Sequence, residues 1–111
     1  MNKKTFGVIG LAKRAGKLAQ GAESVVESIR SGKAKLALIA CDASANTKKT
    51  VTDKAAFYSV DCLVTDADMA SLGGSIGGKS TAAVAFTDEN FVKAFEKSLS
   101  AEDPADTERE V

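Results

Sequence analysis

Lys35-Leu36-Ala37-Leu38-Ile39-Ala40-Cys41 is a run of strand length in which only the first side chain is charged. A strand with one wet face alternates polar and apolar residues. A run this uniform suits a strand covered on both faces, as in a parallel or mixed sheet. Covering both faces takes helices, so the run predicts an α/β chain and directs the reading of its flanks.

On the N-terminal side, Gly21–Ser31 predicts a helix with Ala22, Val25, Val26 and Ile29 on one face and Gly32 ending it. Lys17–Gln20 reads as a short connector or strand. Residues 3–15 predict a first helix, with Val8, Leu11, Ala12 and Ala15 as its apolar stripe and Gly16 as its stop.

On the C-terminal side, Asp42–Asn46 is a polar loop in which Ser44 and Asn46 are expected to cap a helix over residues 47–58. That helix is expected to bury Val51, Ala55 and Tyr58. Asp61–Thr65 predicts a strand, and Asp66 the cap of a short helix to Leu72. Gly73–Ser80 predicts a Gly-rich loop and Thr81–Phe86 a strand. Thr87 or Asp88 is expected to cap a last helix burying Phe91, Val92, Phe95 and Leu99. Helices and strands thus alternate around a small central sheet. Residues 1–99 are expected to form one domain. Residues 100–111 hold five acidic residues and the only proline, and read as a disordered tail.

Composition narrows the chemistry. The chain has 111 residues, 44% hydrophobic and 27% charged, an ordinary globular balance. It has no His, which excludes Ser-His-Asp and Cys-His catalysis and His metal ligation. No cofactor or metal is expected. It has no Trp, five Phe and one Tyr, too few for a broad base-stacking platform. Cys41 and Cys62 sit in apolar runs without metal-site spacing and read as buried, reduced thiols of a cytoplasmic protein. No apolar stretch approaches the roughly 20 residues of a membrane span. Met1-Asn2-Lys3-Lys4 faintly resembles a signal-peptide start, but Phe6–Ala12 is short, broken by two glycines, and followed by Lys13-Arg14.

The formal net charge of zero hides a split. Residues 1–54 hold eleven basic and four acidic side chains; residues 55–111 hold four basic and eleven acidic. Lys13, Arg14 and Lys17 cluster before the second helix, Lys33 and Lys35 follow it, and Lys48-Lys49 open the third. Concentration of cations in one half points to a phosphate-contacting surface. Asp42, ending the central strand, is a further candidate at the sheet's edge.

Gly73-Gly74-Ser75-Ile76-Gly77-Gly78-Lys79-Ser80 matches the phosphate-cradling pattern of nucleoside triphosphatases. That chemistry needs a strand before the loop and a helix after it, so that free helix N–H groups face the phosphates. Here the expected order is reversed, and nucleotide hydrolysis is not expected. A Gly-rich loop remains a place where backbone can approach a partner closely.

Gly16-Lys17-Leu18-Ala19-Gln20-Gly21, then Ile29-Arg30-Ser31-Gly32-Lys33-Ala34 leading into the apolar run, resembles the family of large-subunit ribosomal proteins L-seven-Ae and L-thirty-e. Asp42-Ala43-Ser44 with Asn46-Thr47, Asp53-Lys54, and Leu72-Gly73 with Ile76-Gly77 follow in family order. Together they look most like the bacterial YlxQ-type branch, over roughly residues 5–97. The resemblance implies a three-layer α-β-α sandwich around a small mixed four-stranded sheet. It implies a non-catalytic RNA-binding protein whose partner is a structured RNA, a kink-turn or related internal loop, ribosomal RNA included; no sequence feature suggests an obligate interface, and a monomer is expected.

In that family the N-terminus of the second helix enters a widened major groove, the loop before the last strand covers an extruded base, and nearby lysines contact phosphates. Carried onto this chain, the implied contacts are Gly21-Ala22-Glu23-Ser24 and Ile76-Gly77-Gly78-Lys79. Lys13, Arg14, Lys17, Lys33 and Asp42 complete the expected RNA-binding set. Archaeal members have Asn-Glu where this chain has Glu23-Ser24, and commonly Lys where it has Glu27. An ionised Glu only accepts hydrogen bonds, so Glu23 cannot pair with the N7 and O6 acceptors of guanine. The alternative reading is a protein-interaction module of the same fold that has lost kink-turn binding.

Overall fold

The apolar run forms strand β2 (Leu36–Ile39), all four of whose residues are buried. The computed structural model describes residues 1–100. Three further strands complete one mixed sheet: β1 (Leu18–Gln20), β3 (Asp61–Val64) and β4 (Ala83–Phe86), in the order β1-β4-β2-β3. β4 lies antiparallel to both neighbours, with Leu18 and Leu36 each opposite Phe86, while β2 and β3 run parallel.

Five helices cover the sheet: α1 (Lys3–Arg14), α2 (Ala22–Arg30), α3 (Ala45–Phe57), α4 (Met69–Ser75) and α5 (Glu89–Ser100). α2 packs with α3, and α1 packs with α4 and α5, giving the expected three layers. The core runs through both faces of the central strands: Leu38, Ile39, Val84 and Phe86 are fully buried, with Val25, Ile29 and Val51 on the α2–α3 side. Phe86 meets Phe95 of α5 at a centroid distance of 5.5 Å. Among the described residues no helix is long and apolar enough to cross a membrane.

Several local expectations are corrected. α1 buries Thr5, Ile9, Gly10 and Ala12, whereas Leu11 is 53% exposed and Ala15 is also exposed. The reason is steric. A Cβ at Gly10 would lie 2.6 Å from the Ser75 carbonyl oxygen, so α4 can approach only along the glycine face. α3 begins at Ala45 and is capped by Ser44, whose hydroxyl accepts from the Thr47 N–H; Asn46 is inside the helix and does not cap it. Tyr58 follows the helix and is exposed, packed edge-on to Phe57.

Asp68, not Asp66, caps α4, accepting from the Ser71 N–H at 2.7 Å. Asp66 instead holds the N-terminal ammonium group. α4 continues through Gly73, Gly74 and Ser75, so the loop before β4 starts at Ile76. Leu99 is partly exposed, and Ser98 takes a buried place on α5 by donating its hydroxyl to the Phe95 carbonyl. Cys41 is exposed because it lies past the end of β2, and Cys62 is half-buried on edge strand β3; both are free thiols. Ser100 ends α5 rather than starting a tail; the disordered tail expected beyond it lies outside the described residues.

Candidate RNA-binding surface

The strand register gives the sheet two functional ends. The C-terminal ends of β1, β2 and β3 and the start of β4 lie together, because β4 is antiparallel to β1 and β2 while β3 parallels β2. This end therefore carries the starts of α2, α3 and α4 and the loop from α4 into β4. The opposite end carries the starts of β1 and β2 and the end of β4.

At the first end, Gly21 takes φ +94°, a conformation other residues adopt only with strain, and its N–H donates to the Ala83 carbonyl at 2.9 Å. That turn sends the chain from β1 straight into α2. Gly21 has no side chain with which to cap the helix, so the first turn of α2 presents N–H groups without a side-chain acceptor. Ala22 is half-buried; Glu23 and Ser24 are exposed.

The loop from α4 reaches the same place. Ile76 is half-buried, and Gly77, Gly78 and Lys79 are exposed. The loop folds over α4 through Gly73, against which it lays its own backbone: a Cβ there would sit 1.8 Å from the Lys79 carbonyl oxygen. The Gly78 N–H donates to the Gly73 carbonyl at 2.9 Å. A Cβ on Gly78 would lie 3.9 Å from Nε2 of Gln20, the last residue of β1. The loop, the end of β1 and the start of α2 are thus neighbours. Asp42 completes this end of the sheet. One of its carboxylate oxygens accepts from the Met69 N–H at 2.8 Å, which fixes α4 beside the β2–α3 loop.

The expected set therefore divides. Gly21, Ala22, Glu23, Ser24, Asp42, Ile76, Gly77, Gly78 and Lys79 share the first end. Lys13, Arg14, Lys17 and Lys33, all exposed, belong to the opposite end, where the Thr87 N–H donates to the Lys17 carbonyl and the Lys35 N–H to the Phe86 carbonyl. The three residues of β1 separate Lys17 from Gly21, four steps along extended chain or about 13 Å. α2 bridges the two ends. Its exposed Glu23 and Glu27 border a groove of about 810 Å³ that runs on to Lys33 and Lys35. Glu27 pairs with Arg30 on the same helix.

Two residues at this surface escaped the sequence reading. Gln20, beside Gly78, carries no sequence signal because a single amide in a short strand makes no motif. Ser28 is 7% exposed on the buried side of α2, and its spacing of three from Val25 was the available signal.

A family model for the ribosomal protein L7Ae/L30e/S12e/Gadd45 family matches residues 3–96. The chain belongs to that family. It is 44% identical over 86 residues to the RNA-binding protein YlxQ of Bacillus subtilis (strain 168), covering 78% of this chain and 85% of the relative. It is 46% identical over 74 residues to the RNA-binding protein YlxQ of Enterococcus faecium, covering 65% of this chain and 72% of the relative. These likenesses place it in the YlxQ branch. A solved structure of a Bacillus halodurans protein of unknown function superposes with a TM-score of 0.80 at 29% identity, over 86% of this chain and 96% of that one. The nucleotide-like pattern Gly73–Ser80 spans the end of α4 and the segment leading to β4. That segment lies after a helix and before a strand, so no following helix N-terminus faces it.

Proposed function

We propose that this chain is a non-catalytic RNA-binding protein that recognises a kink-turn or related internal loop. The observation carrying this reading is the juxtaposition of the α2 N-terminus with the Ile76–Lys79 loop at one end of the sheet. Family membership and two relatives named as RNA-binding support it.

The α2 N-terminus offers unpaired N–H groups and a favourable dipole to a phosphate or base-edge acceptor. Glycines at 77 and 78 leave the neighbouring loop without side-chain bulk, so its backbone can lie against a base. Lys79 supplies a cation beside it. Lys13, Arg14, Lys17 and Lys33 then contact phosphates of RNA that continues past β1 toward the opposite end. Glu23, acceptor-only, pairs with amino or imino donors rather than with guanine N7 and O6.

Gel-shift titration with a kink-turn RNA tests the assignment. Lys79→Ala and Lys17→Ala are each expected to weaken binding. Unchanged affinity in both would place the RNA on another surface.

A further inference from the structure

The groove between β1 and α2 begins at the proposed RNA contacts and continues beyond them. Glu23 and Glu27 stand on its α2 wall, Ser28 and Ser31 follow down the same helix, and Lys33 and Lys35 close its far end. Its length from Glu23 to Ser31 is about 12 Å at the helical rise. Its volume of about 810 Å³ falls within the range of ligand clefts.

Three observations give the groove a chemistry. First, Lys33 and Lys35 are exposed cations with no ion pair among the described residues. Second, Glu23 is an exposed carboxylate, also without an ion pair among the described residues, whereas Glu27 is held by Arg30. Third, Ser28 lines the groove, and its hydroxyl is buried and has no hydrogen-bond partner among the described residues. Native proteins rarely leave such a group unsatisfied. An acceptor at the top, cations at the bottom and an unspent hydroxyl between them suit a ligand that has a donor edge at one end and phosphates at the other.

Resting on the RNA-binding reading above, we infer that this groove holds an unpaired RNA strand containing a guanine, which continues from the structured RNA at the α2 N-terminus. The Watson–Crick edge of guanine presents N1–H and N2–H₂ side by side. An ionised carboxylate accepts both at once. Uracil has one imino donor flanked by acceptors and cannot make this pair. A guanine paired in a duplex has already used the edge, so the strand must be single. Lys33 and Lys35 hold its phosphates, and the Ser28 hydroxyl turns toward a polar group of the same strand.

The direct test is an amide-resolved NMR titration of the full chain with the trinucleotide r(UGU). The comparison ligands are r(UUU) and r(UIU), in which inosine lacks the N2 amino group. The expected result is shifts at Glu23, Ser28, Lys33 and Lys35, with r(UGU) binding about fivefold more tightly than r(UIU). Glu23→Gln should erase that difference. Ser28→Ala should weaken r(UGU) binding while leaving the fold as stable as before, because it removes an unsatisfied buried hydroxyl. Shifts confined to other surfaces, equal binding of r(UGU) and r(UUU), or an intact guanine preference in Glu23→Gln would overturn the inference. A parallel titration with a kink-turn RNA reports separately on the reading it rests on.

Discussion

The Asp42 carboxylate accepts a hydrogen bond from the backbone N–H of Met69, 2.8 Å away and 27 residues on in the chain. It joins the loop after β2 to the first residue of α4, a helix of only seven residues. Helices this short do not hold together by propensity alone. Asp42 and Asp68 share the work, one accepting from Met69 and the other from Ser71. Since α4 ends in the Ile76–Lys79 loop, Asp42 positions that loop from behind.

Asp42→Ala is therefore expected to lower unfolding stability by about 1 kcal/mol, the worth of an exposed charge-assisted hydrogen bond. Asp42→Asn keeps an acceptor and should lose less. Urea unfolding of the two variants checks the order.

Asp66 and Asp68 predict an acid response. Hydrogen bonding from the N-terminal ammonium group lowers the Asp66 carboxyl below the ordinary 3.8. The Ser71 backbone N–H lowers that of Asp68 in the same way. A carboxyl depressed in the folded state stabilises the fold above its unfolded value, and that contribution is lost as pH falls through the folded value. Stability should therefore fall on acidification below the ordinary carboxylate range. Asp68→Asn, which accepts but does not titrate, should flatten the fall when unfolding is followed from pH 5 to pH 2.

Gly73→Ala probes the loop from within α4. The added methyl would meet the Lys79 carbonyl carbon and oxygen, which are backbone atoms and cannot swing aside. Overpacking of this kind costs about 1–3 kcal/mol. The variant should unfold at lower temperature and bind RNA more weakly. Gly74→Ala, where the same methyl meets nothing within 4 Å, is its control.

Much of the architecture was legible because it follows from hydrophobic pattern. Leu36–Ile39 buries on both faces as its uniform composition requires, and the order of helices and strands follows from it. What the pattern missed depended on long-range contacts. Leu11 and Ile9 are equally apolar, and only the close approach of Ser75 to Gly10 decides which one is buried. Gly73 and Gly74 looked like loop because glycine is a poor helix former, yet the loop can fold over α4 only if Gly73 lacks a Cβ. The candidate surface was legible as residues and not as geometry. Lys17 and Gly21 are close in sequence, and the strand between them sends them to opposite ends of the sheet.

That separation makes a salt prediction. Lys17 and Lys79 lie at opposite ends of β1, so any phosphate contacts they make should contribute independently. Each alanine substitution should flatten the slope of log affinity against log salt by about 0.9 if the contact is to a duplex. The double variant should lose about twice that. Titrations at several salt concentrations measure it.

The central claim is that the α2 N-terminus and the Ile76–Lys79 loop together read the bent internal loop of a kink-turn. Calorimetric titration of the chain with a kink-turn RNA, and with the same RNA whose tandem G·A pairs are replaced by Watson–Crick pairs, tests it most directly. The account predicts clearly tighter binding to the intact kink-turn. Equal affinity for the two RNAs, or binding to neither, would contradict it.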